Sequence, residues 1–168
     1  LTTMDYDDTQ KLIFVIADGI ITGSGNGKST PDIILDLIEL DPEVNGATAE
    51  AHSYAALADG TKRHNMAKVY AGHYSAKGHR VPVLVVVKCG TPAEAKSPKP
   101  GNRGKRDSQI ILMSFFSHVL FDDRMTPLEY DMFRKIHYLC GVTPDVFEIV
   151  LMVDADTKVN PSALTNMV

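Results

Sequence analysis

Residues 81–89 read VPVLVVVKC, a nearly unbroken run of β-branched and large apolar side chains. Two further runs have the same character, LIFVIA at residues 12–17 and FEIVLMV at residues 147–153. A strand with one face in water alternates apolar and polar residues, whereas a strand covered on both faces is apolar throughout. The three runs therefore predict buried strands of a parallel sheet with helices on each side. Residues 66–74 predict a further strand at an edge of that sheet.

Helix signals lie between these runs. A cap residue and an early proline at residues 29–32 open a first helix. Asp107 or Ser108 is the predicted cap of a strongly apolar helix that runs to about Phe121. Residues 126–141 carry a third helix that ends at a glycine.

Two stretches between these elements are predicted loops. Residues 41–63 are small and polar, and residues 90–106 are rich in proline, glycine and lysine. Strands that alternate with helices are typical of an α/β layer fold with a parallel sheet. A length of 168 residues fits one domain, so residues 1–168 are assigned to a single domain.

Charge and composition exclude several classes of protein. The chain has 17 Lys and Arg against 21 Asp and Glu, a net charge of −4, which gives no support to a nucleic-acid or anionic-membrane surface. Cys89 and Cys140 are too few for a disulfide framework and indicate a reducing compartment. The longest apolar stretch, residues 110–121, is interrupted by polar side chains and is shorter than the roughly 20 residues that a membrane span needs.

Acidic residues follow two of the predicted strands. Asp18 comes directly after the run 12–17, and Asp154 and Asp156 follow the run 147–153. Ligands of open parallel sheets gather at the carboxyl ends of strands, and two carboxylates one residue apart can face a hard divalent cation. An Asp-x-Asp triplet is also common by chance, and Asp18 has a local interpretation as a turn-forming residue. The pattern indicates a metal that offsets the charge of a nucleotide diphosphate. A chance Asp-x-Asp triplet and a turn-forming Asp18 remain the alternatives.

A basic segment precedes the second predicted helix. Five of the eleven residues at 96–106 are basic and none is acidic, in a chain whose net charge is negative. Lys105 and Arg106 lie at its end beside a helix N-terminus, where they suit a diphosphate. A second interpretation of this segment is a solvated basic loop without a function of its own. A third is a non-catalytic module that binds an anionic partner through Lys96–Arg106.

A glycine-rich segment follows the first strand. Residues 22–30, TGSGNGKST, are similar to a phosphate-binding loop, whose pattern is G-x-x-x-x-G-K-[ST]. Thr22 stands where that pattern needs its first glycine, and Gly23 is one residue too close to Lys28. The segment is therefore interpreted as a surface turn, and a P-loop-like nucleotide-binding protein that uses Lys28 is the alternative.

Seven blocks of the sequence, taken in order, resemble fungal chitin synthases. The blocks are IADG (16–19), HNMAKVYAGHY (64–74), VVVKCGTP (85–92), KPGNRGKRDSQ (99–109), RMTP (124–127), GVTPD (141–145) and FEIVLMVDADT (147–157). They cover the chain from about Leu12 to Thr157 and keep the order of the family. Together they are a far more specific signal than any single motif.

The resemblance implies a processive, inverting glycosyltransferase with a GT-A (Rossmann-like) fold, a mostly parallel sheet flanked by helices. Members of the family transfer N-acetylglucosamine from UDP-N-acetylglucosamine to the 4-hydroxyl end of a growing β-1,4-linked chitin chain, with Mn²⁺ or Mg²⁺, for the fungal cell wall. By position in the family motifs, Asp18 matches the uridine-side aspartate. Asp154 and Asp156 match the pair that holds the metal and the diphosphate, and Lys105 and Arg106 are implied near the nucleotide.

Other parts of the family pattern are not found in these residues. The resemblance implies a general-base aspartate, a Q-x-x-R-W motif and membrane-spanning helices beyond Val168, so no catalytic base is expected within the chain. We expect a donor-binding piece of a longer plasma-membrane enzyme whose catalytic part faces the cytoplasm, with a sheet that is incomplete at its C-terminal side. Alone, such a piece is expected to be inactive. Whether the parent enzyme forms a homo-oligomer is left open.

Overall fold

A mixed sheet is the centre of the computed structural model, which describes residues 1–46 and 49–168. Its strands are β1 (Ile13–Ala17), β2 (Glu39–Leu40), β3 (Ala51–Ala55), β4 (His64–Ala76) and β5 (His79–Lys88). The helices are α1 (Thr30–Asp36), α2 (Pro42–Asn45), α3 (Lys105–Leu120) and α4 (Pro127–Cys140). Short 3₁₀ helices lie at Asp8–Gln10, Gly60–Arg63, Pro92–Glu94 and Pro144–Val146.

The order of the strands across the sheet is β1-β5-β4-β2, and β3 also pairs with β4. β1 and β5 are parallel, from Ile13 opposite Val83 to Ala17 opposite Val87. β4 is antiparallel to β2, β3 and β5. The predicted α/β class is confirmed, with one correction: within the described residues the pairing is mostly antiparallel, and β1–β5 is the parallel pair.

The short connection between β4 and β5 explains the antiparallel pairing. Lys77 and Gly78 form a two-residue hairpin turn, and their φ angles are both positive, 52° and 85°. A parallel connection needs a crossover of a dozen or more residues, which the six residues between 74 and 81 cannot supply. β4 is also paired on both sides, so the strand predicted at residues 66–74 exists but does not lie at an edge.

Both faces of the sheet are covered by helices. On one face, α3 and α4 pack on β4 and β5 in a cluster of buried side chains that includes Ala67, Val69, Ala71, Leu84, Val86, Ile111, Phe115, Leu128, Met132 and Ile136. On the other face, side chains from the α1 region cover β1 and β5, in a cluster that includes Ala17, Val83, Val85, Val87, Ile34, Leu35 and Ile38. Successive residues of a strand point to opposite faces, so residues 81–87 of β5 are all apolar because neither face meets water there.

Helices α1 and α4 begin where the sequence predicts. Ser29 caps α1 by accepting a hydrogen bond from the backbone N–H of Asp32. Thr126 and Glu129 form a reciprocal capping box at the start of α4, and Gly141 ends that helix with a φ of 70°.

The two predicted loops differ in outcome. Residues 41–63 contain α2 and β3, so the prediction of a loop is wrong there, and its part at residues 47–48 lies outside the described residues. Residues 51–55, AHSYA, contain no run of β-branched or large apolar side chains, so their composition does not indicate a strand. The structure nevertheless pairs β3 with β4 along its whole length. Residues 90–106 have little regular structure beyond the 3₁₀ helix Pro92–Glu94 and the first residues of α3, as predicted.

Residues 147–153 form no strand, although their composition predicts one. Phe147 packs against the core on the α3–α4 face, and the chain then passes α3, where Gln109 Nε2 lies 3.3 Å from Met152 Sδ. Three large apolar side chains of this run are each at least 40% exposed: Ile149, Val150 and Met152. Apolar composition shows only that side chains can be buried, whereas a strand also needs a neighbouring strand to pair with. No helix in the described part of the chain is long and apolar enough to cross a membrane.

Candidate active site

Asp18 and Lys88 meet at the carboxyl edge of the sheet, because the parallel strands β1 and β5 end there together. Lys88 Nζ and the backbone N of Arg103 each lie 2.9 Å from Asp18 Oδ1. Oδ2 of Asp18 accepts from Gly104 N at 2.8 Å and from Asn102 Nδ2 at 3.0 Å. Each oxygen thus accepts two hydrogen bonds, and three of the four come from residues 102–104 and fasten that segment to the end of β1.

These donors control the charge of Asp18. Burial by itself raises the pKa of the Asp18 carboxyl, but the hydrogen bonds from Arg103 N, Lys88 and Gly104 N outweigh burial and hold that pKa below its ordinary value of 3.8. Asp18 is therefore an anion at neutral pH, and its negative charge is directed at the backbone N–H groups just before α3.

Lys88 is a buried cation that lies between two carboxylates. Its side chain is 0% exposed, and its Nζ lies 2.8 Å from Asp107 Oδ2 as well as close to Asp18. Asp107 also accepts from Tyr54 Oη at 2.8 Å and from Leu57 N at 2.7 Å. Because charges out of water need partners on every side, this cluster joins the ends of β1 and β5 to β3 and the first turn of α3.

Asp107 is not the cap of α3, which corrects the prediction from sequence. Gly104 is the N-cap, and Asp107 is the third residue of the helix with 1% of its surface exposed. Its ion pair with Lys88 holds the carboxylate in the interior. The N-cap lies three residues before Asp107 and four before Ser108, the two predicted caps.

Lys105 and Arg106 are the first two residues of α3, and both are exposed. Lys105 forms an ion pair with Asp154, in which both side chains are more than half exposed. Asp156 is exposed in the same turn as Asp154. The structure thus brings Lys105 and Asp154 together beside the positive end of a helix dipole, and Gly104 connects this group directly to Asp18.

Asp154 and Asp156 are two candidate metal ligands. In residues 1–46 and 49–168 no three Asp, Glu, His or Cys side chains converge in a way that could hold a metal ion. Asp154 and Asp156 offer the carboxylate oxygens that Mg²⁺ and Mn²⁺ prefer. The donor chemistry of the pair therefore fits a hard divalent cation, and the two carboxylates would supply only part of its coordination.

The glycine-rich segment 22–30 is used locally. Lys28 forms a 2.6 Å ion pair with Asp36 on the surface, and Ser29 caps α1. A Cβ atom added to Gly27 would meet nothing within 4 Å, so packing does not require a glycine there. This geometry matches the surface turn and gives no support to the P-loop alternative.

A cavity of about 390 Å³ lies at the carboxyl edge, with a mostly apolar lining that includes Ile20, Met66, Cys89 and Pro100. Burial raises the pKa of the Cys89 thiol, so this side chain stays neutral. A larger cavity of about 460 Å³ is lined by parts of α2, β3 and α4 instead. Neither cavity is lined by a candidate site residue, that is, by Asp18, Lys105, Arg106, Asp154 or Asp156.

Sequence reasoning missed the roles of Lys88 and Asp107. One signal was available, because a lysine that directly follows seven apolar residues (81–87) needs a buried acidic partner. Which of the 21 acidic residues supplies that partner depends on how α3 packs, and no local pattern shows it.

Known proteins similar in sequence are found along the whole chain. A family model described as chitin synthase matches residues 1–168. The chain is 57% identical to chitin synthase 7 of Mycosarcoma maydis over an alignment of 168 positions, which covers 99% of the chain and 13% of that protein. It is also 57% identical to chitin synthase 3 of Candida albicans over an alignment of 176 positions, and to chitin synthase C of Emericella nidulans over one of 173 positions.

The matched parts are 100% and 98% of the chain in the last two comparisons, and 14% of each relative. The chain thus spans about one seventh of the length of these curated relatives. No solved structure matches it. The family match over every residue, together with the high identity to these relatives, shows that the chain belongs to the chitin synthase family.

Proposed function

We propose that the natural protein that carries this chain transfers N-acetylglucosamine from UDP-N-acetylglucosamine to the 4-hydroxyl end of a growing β-1,4-linked chitin chain, with inversion at the sugar. This chain supplies part of the site for the donor nucleotide. The observation that carries the proposal is the 57% identity to proteins named chitin synthases along the whole chain. The cationic end of α3 and the acidic pair at one sheet edge support it.

Each residue of the site has a proposed part in binding the donor. Lys105 and Arg106 attract the diphosphate, with the dipole of α3 behind them. Asp154 and Asp156 hold Mn²⁺ or Mg²⁺, which offsets the negative charge of the diphosphate. Both oxygens of Asp18 already accept two hydrogen bonds each, so in this conformation Asp18 serves the uridine side of the site through the loop that it holds.

The setting of the complete protein is part of the same proposal. We place it in the plasma membrane as a multi-pass enzyme, with this part facing the cytoplasm, and we place the catalytic base outside these 168 residues. On this proposal the chain alone makes no polymer. These statements rest on the family to which the chain belongs.

The test uses the complete natural protein in isolated fungal membranes, with transfer of radiolabelled N-acetylglucosamine into insoluble, chitinase-sensitive product as the readout. We expect Asp156→Ala to abolish transfer and Lys28→Ala to leave it unchanged, since Lys28 lies in a surface ion pair. We also expect chelation by EDTA to stop transfer and added Mn²⁺ or Mg²⁺ to restore it. Activity that survives both Asp156→Ala and chelation would contradict the metal-dependent mechanism, and loss on Lys28→Ala alone would favour a P-loop.

A further inference from the structure

Arg103 is the one basic residue of the loop 96–106 whose side chain the described structure buries almost completely, at 1% exposed. A guanidinium has five N–H donors, and here each has an acceptor. Nε donates to Lys62 O at 2.6 Å. Nη1 donates to Glu94 Oε2 and to Asn102 O, both at 3.0 Å, and Nη2 donates to Glu94 Oε1 at 2.5 Å and to His64 O at 3.3 Å.

These contacts fix the loop at both of its ends. Lys62 lies in the connection between β3 and β4, and His64 is the first residue of β4, so the guanidinium attaches the loop to the sheet. Glu94 lies near the start of the loop and also accepts from Gly101 N at 3.3 Å. The hydrogen bond with Arg103 is the main reason that the pKa of the Glu94 carboxyl lies below its ordinary value of 4.5.

The backbone of Arg103 takes part in the candidate site itself. Arg103 N donates to Asp18 Oδ1, its neighbour Gly104 donates to Asp18 Oδ2, and Gly104 is the N-cap of α3. A shift of the Arg103 side chain therefore moves the N–H groups that Asp18 accepts from. It also moves the start of the helix that presents Lys105.

We infer that the Glu94–Arg103 ion pair is a positioning pair for the donor nucleotide: it sets the loop that connects Asp18 to the cationic N-terminus of α3. The inference rests on the proposed function and deepens it. Neither side chain needs to touch the ligand. A lysine at 103 has three donors on a flexible stem, so it cannot reproduce a fork that holds one carboxylate and three carbonyl groups.

The experiment measures initial rates of the complete natural protein in membranes against UDP-N-acetylglucosamine concentration, for the unaltered protein, Arg103→Lys and Glu94→Gln. Loss of charge-assisted hydrogen bonds in a loop that only positions the ligand is expected to raise the donor KM about tenfold in Arg103→Lys and to change kcat less than about threefold. Glu94→Gln is expected to raise KM in the same direction by a smaller factor, because the remaining carbonyl acceptors of Arg103 are kept.

Arg80→Lys is the matched control. Arg80 also pairs with a glutamate, Glu39, but both side chains are more than half exposed and the pair lies at the opposite end of β5 from Lys88. Its donor KM is expected to stay unchanged. Photolabelling of the same membranes with an azido-uridine nucleotide, and protection by UDP, gives a binding readout that does not need polymer formation.

The outcomes separate the inference from the proposed function. A lower yield of active enzyme with an unchanged donor KM and unchanged UDP protection in both variants would make the pair merely structural and would overturn the inference. If Arg103→Lys does not accumulate, Glu94→Gln decides by the same criterion. If the unaltered protein is photolabelled and protected by UDP but transfers no N-acetylglucosamine, the proposed reaction fails, and the protection constants of the variants still decide the inference.

Discussion

Lys88 Nζ lies 2.8 Å from Asp107 Oδ2, and neither side chain has more than 1% of its surface exposed. This pair is the interior end of the candidate site, since Lys88 also contacts Asp18. A single cation thus compensates a fully buried carboxylate and a partly buried one. Because Lys88 lies at the end of β5, the candidate site depends on an interaction inside the core.

Replacement of Lys88 by methionine tests that dependence. The substitution keeps the length of the side chain but leaves Asp107 buried without its cation, which typically costs about 3–5 kcal/mol in unfolding free energy. Urea unfolding of the chain, followed by far-ultraviolet circular dichroism, measures the loss. Lys28→Met is the control, because Lys28 pairs with Asp36 on the surface and such pairs contribute little. Equal effects of the two substitutions would contradict the role of Lys88.

Substitution of Gly101 tests whether the loop packs against the end of β5. Its φ is +78°, and an added Cβ would lie 2.4 Å from Lys88 O and 2.6 Å from Gly90 N, which are backbone atoms that cannot rotate away. We expect Gly101→Ala to lower the unfolding free energy by about 2 kcal/mol or more.

Gly27→Ala is the control for this substitution, since nothing lies within 4 Å of the added Cβ. Its expected effect is within about 0.5 kcal/mol. Urea unfolding of both variants provides the measurement. A Gly101→Ala protein as stable as Gly27→Ala would mean that the loop is not packed against the end of β5.

The parts of the fold that the sequence predicts well are those with a local cause. The strands at 12–17 and 81–89 are covered on both faces, so their composition is sufficient to find them. Helix α4 carries its own capping box and terminal glycine. Asp18 lies at the carboxyl edge as predicted because it follows β1 directly.

The parts that the sequence predicts badly depend on partners far along the chain. Residues 147–153 are as apolar as β5, but in the described structure they pack beside α3 instead of pairing with a strand. β3 has no run of apolar side chains, yet it pairs with β4. Aspartate is a residue type that often caps helices, but Asp107 is buried because Lys88 and Tyr54 contact it from strands far away in the sequence. Such pairings are decided by tertiary packing, which a local pattern does not report.

Glu129 couples the stability of the α3–α4 face to pH. Its Oε2 accepts from Thr126 N and from Thr126 Oγ1, both at 2.8 Å, and its Oε1 lies 3.0 Å from His118 Nδ1 on α3. Burial raises the pKa of the Glu129 carboxyl, but the hydrogen bonds from Thr126 and His118 outweigh burial and hold that pKa below its ordinary value of 4.5.

The sign of the effect follows from that direction. A carboxyl whose pKa is lower in the folded than in the unfolded chain stabilises the fold at pH values above its unfolded pKa. The contribution is lost as the pH falls through the lowered, folded pKa. At neutral pH we therefore expect Glu129→Gln to reduce the unfolding free energy by about 1–2 kcal/mol, the usual effect of losing such a cap. The difference between the variant and the unaltered chain should shrink as the pH falls below 4.5.

Urea unfolding at a series of pH values between neutral and acid measures this difference. Glu148→Gln is the control, because Glu148 is exposed and its replacement should change stability little at any pH. A Glu129→Gln difference that stays constant down to strongly acid pH would show that the carboxylate charge is not what joins Thr126 and His118. A difference that closes over this range ties the packing of α3 on α4 to one ionised side chain.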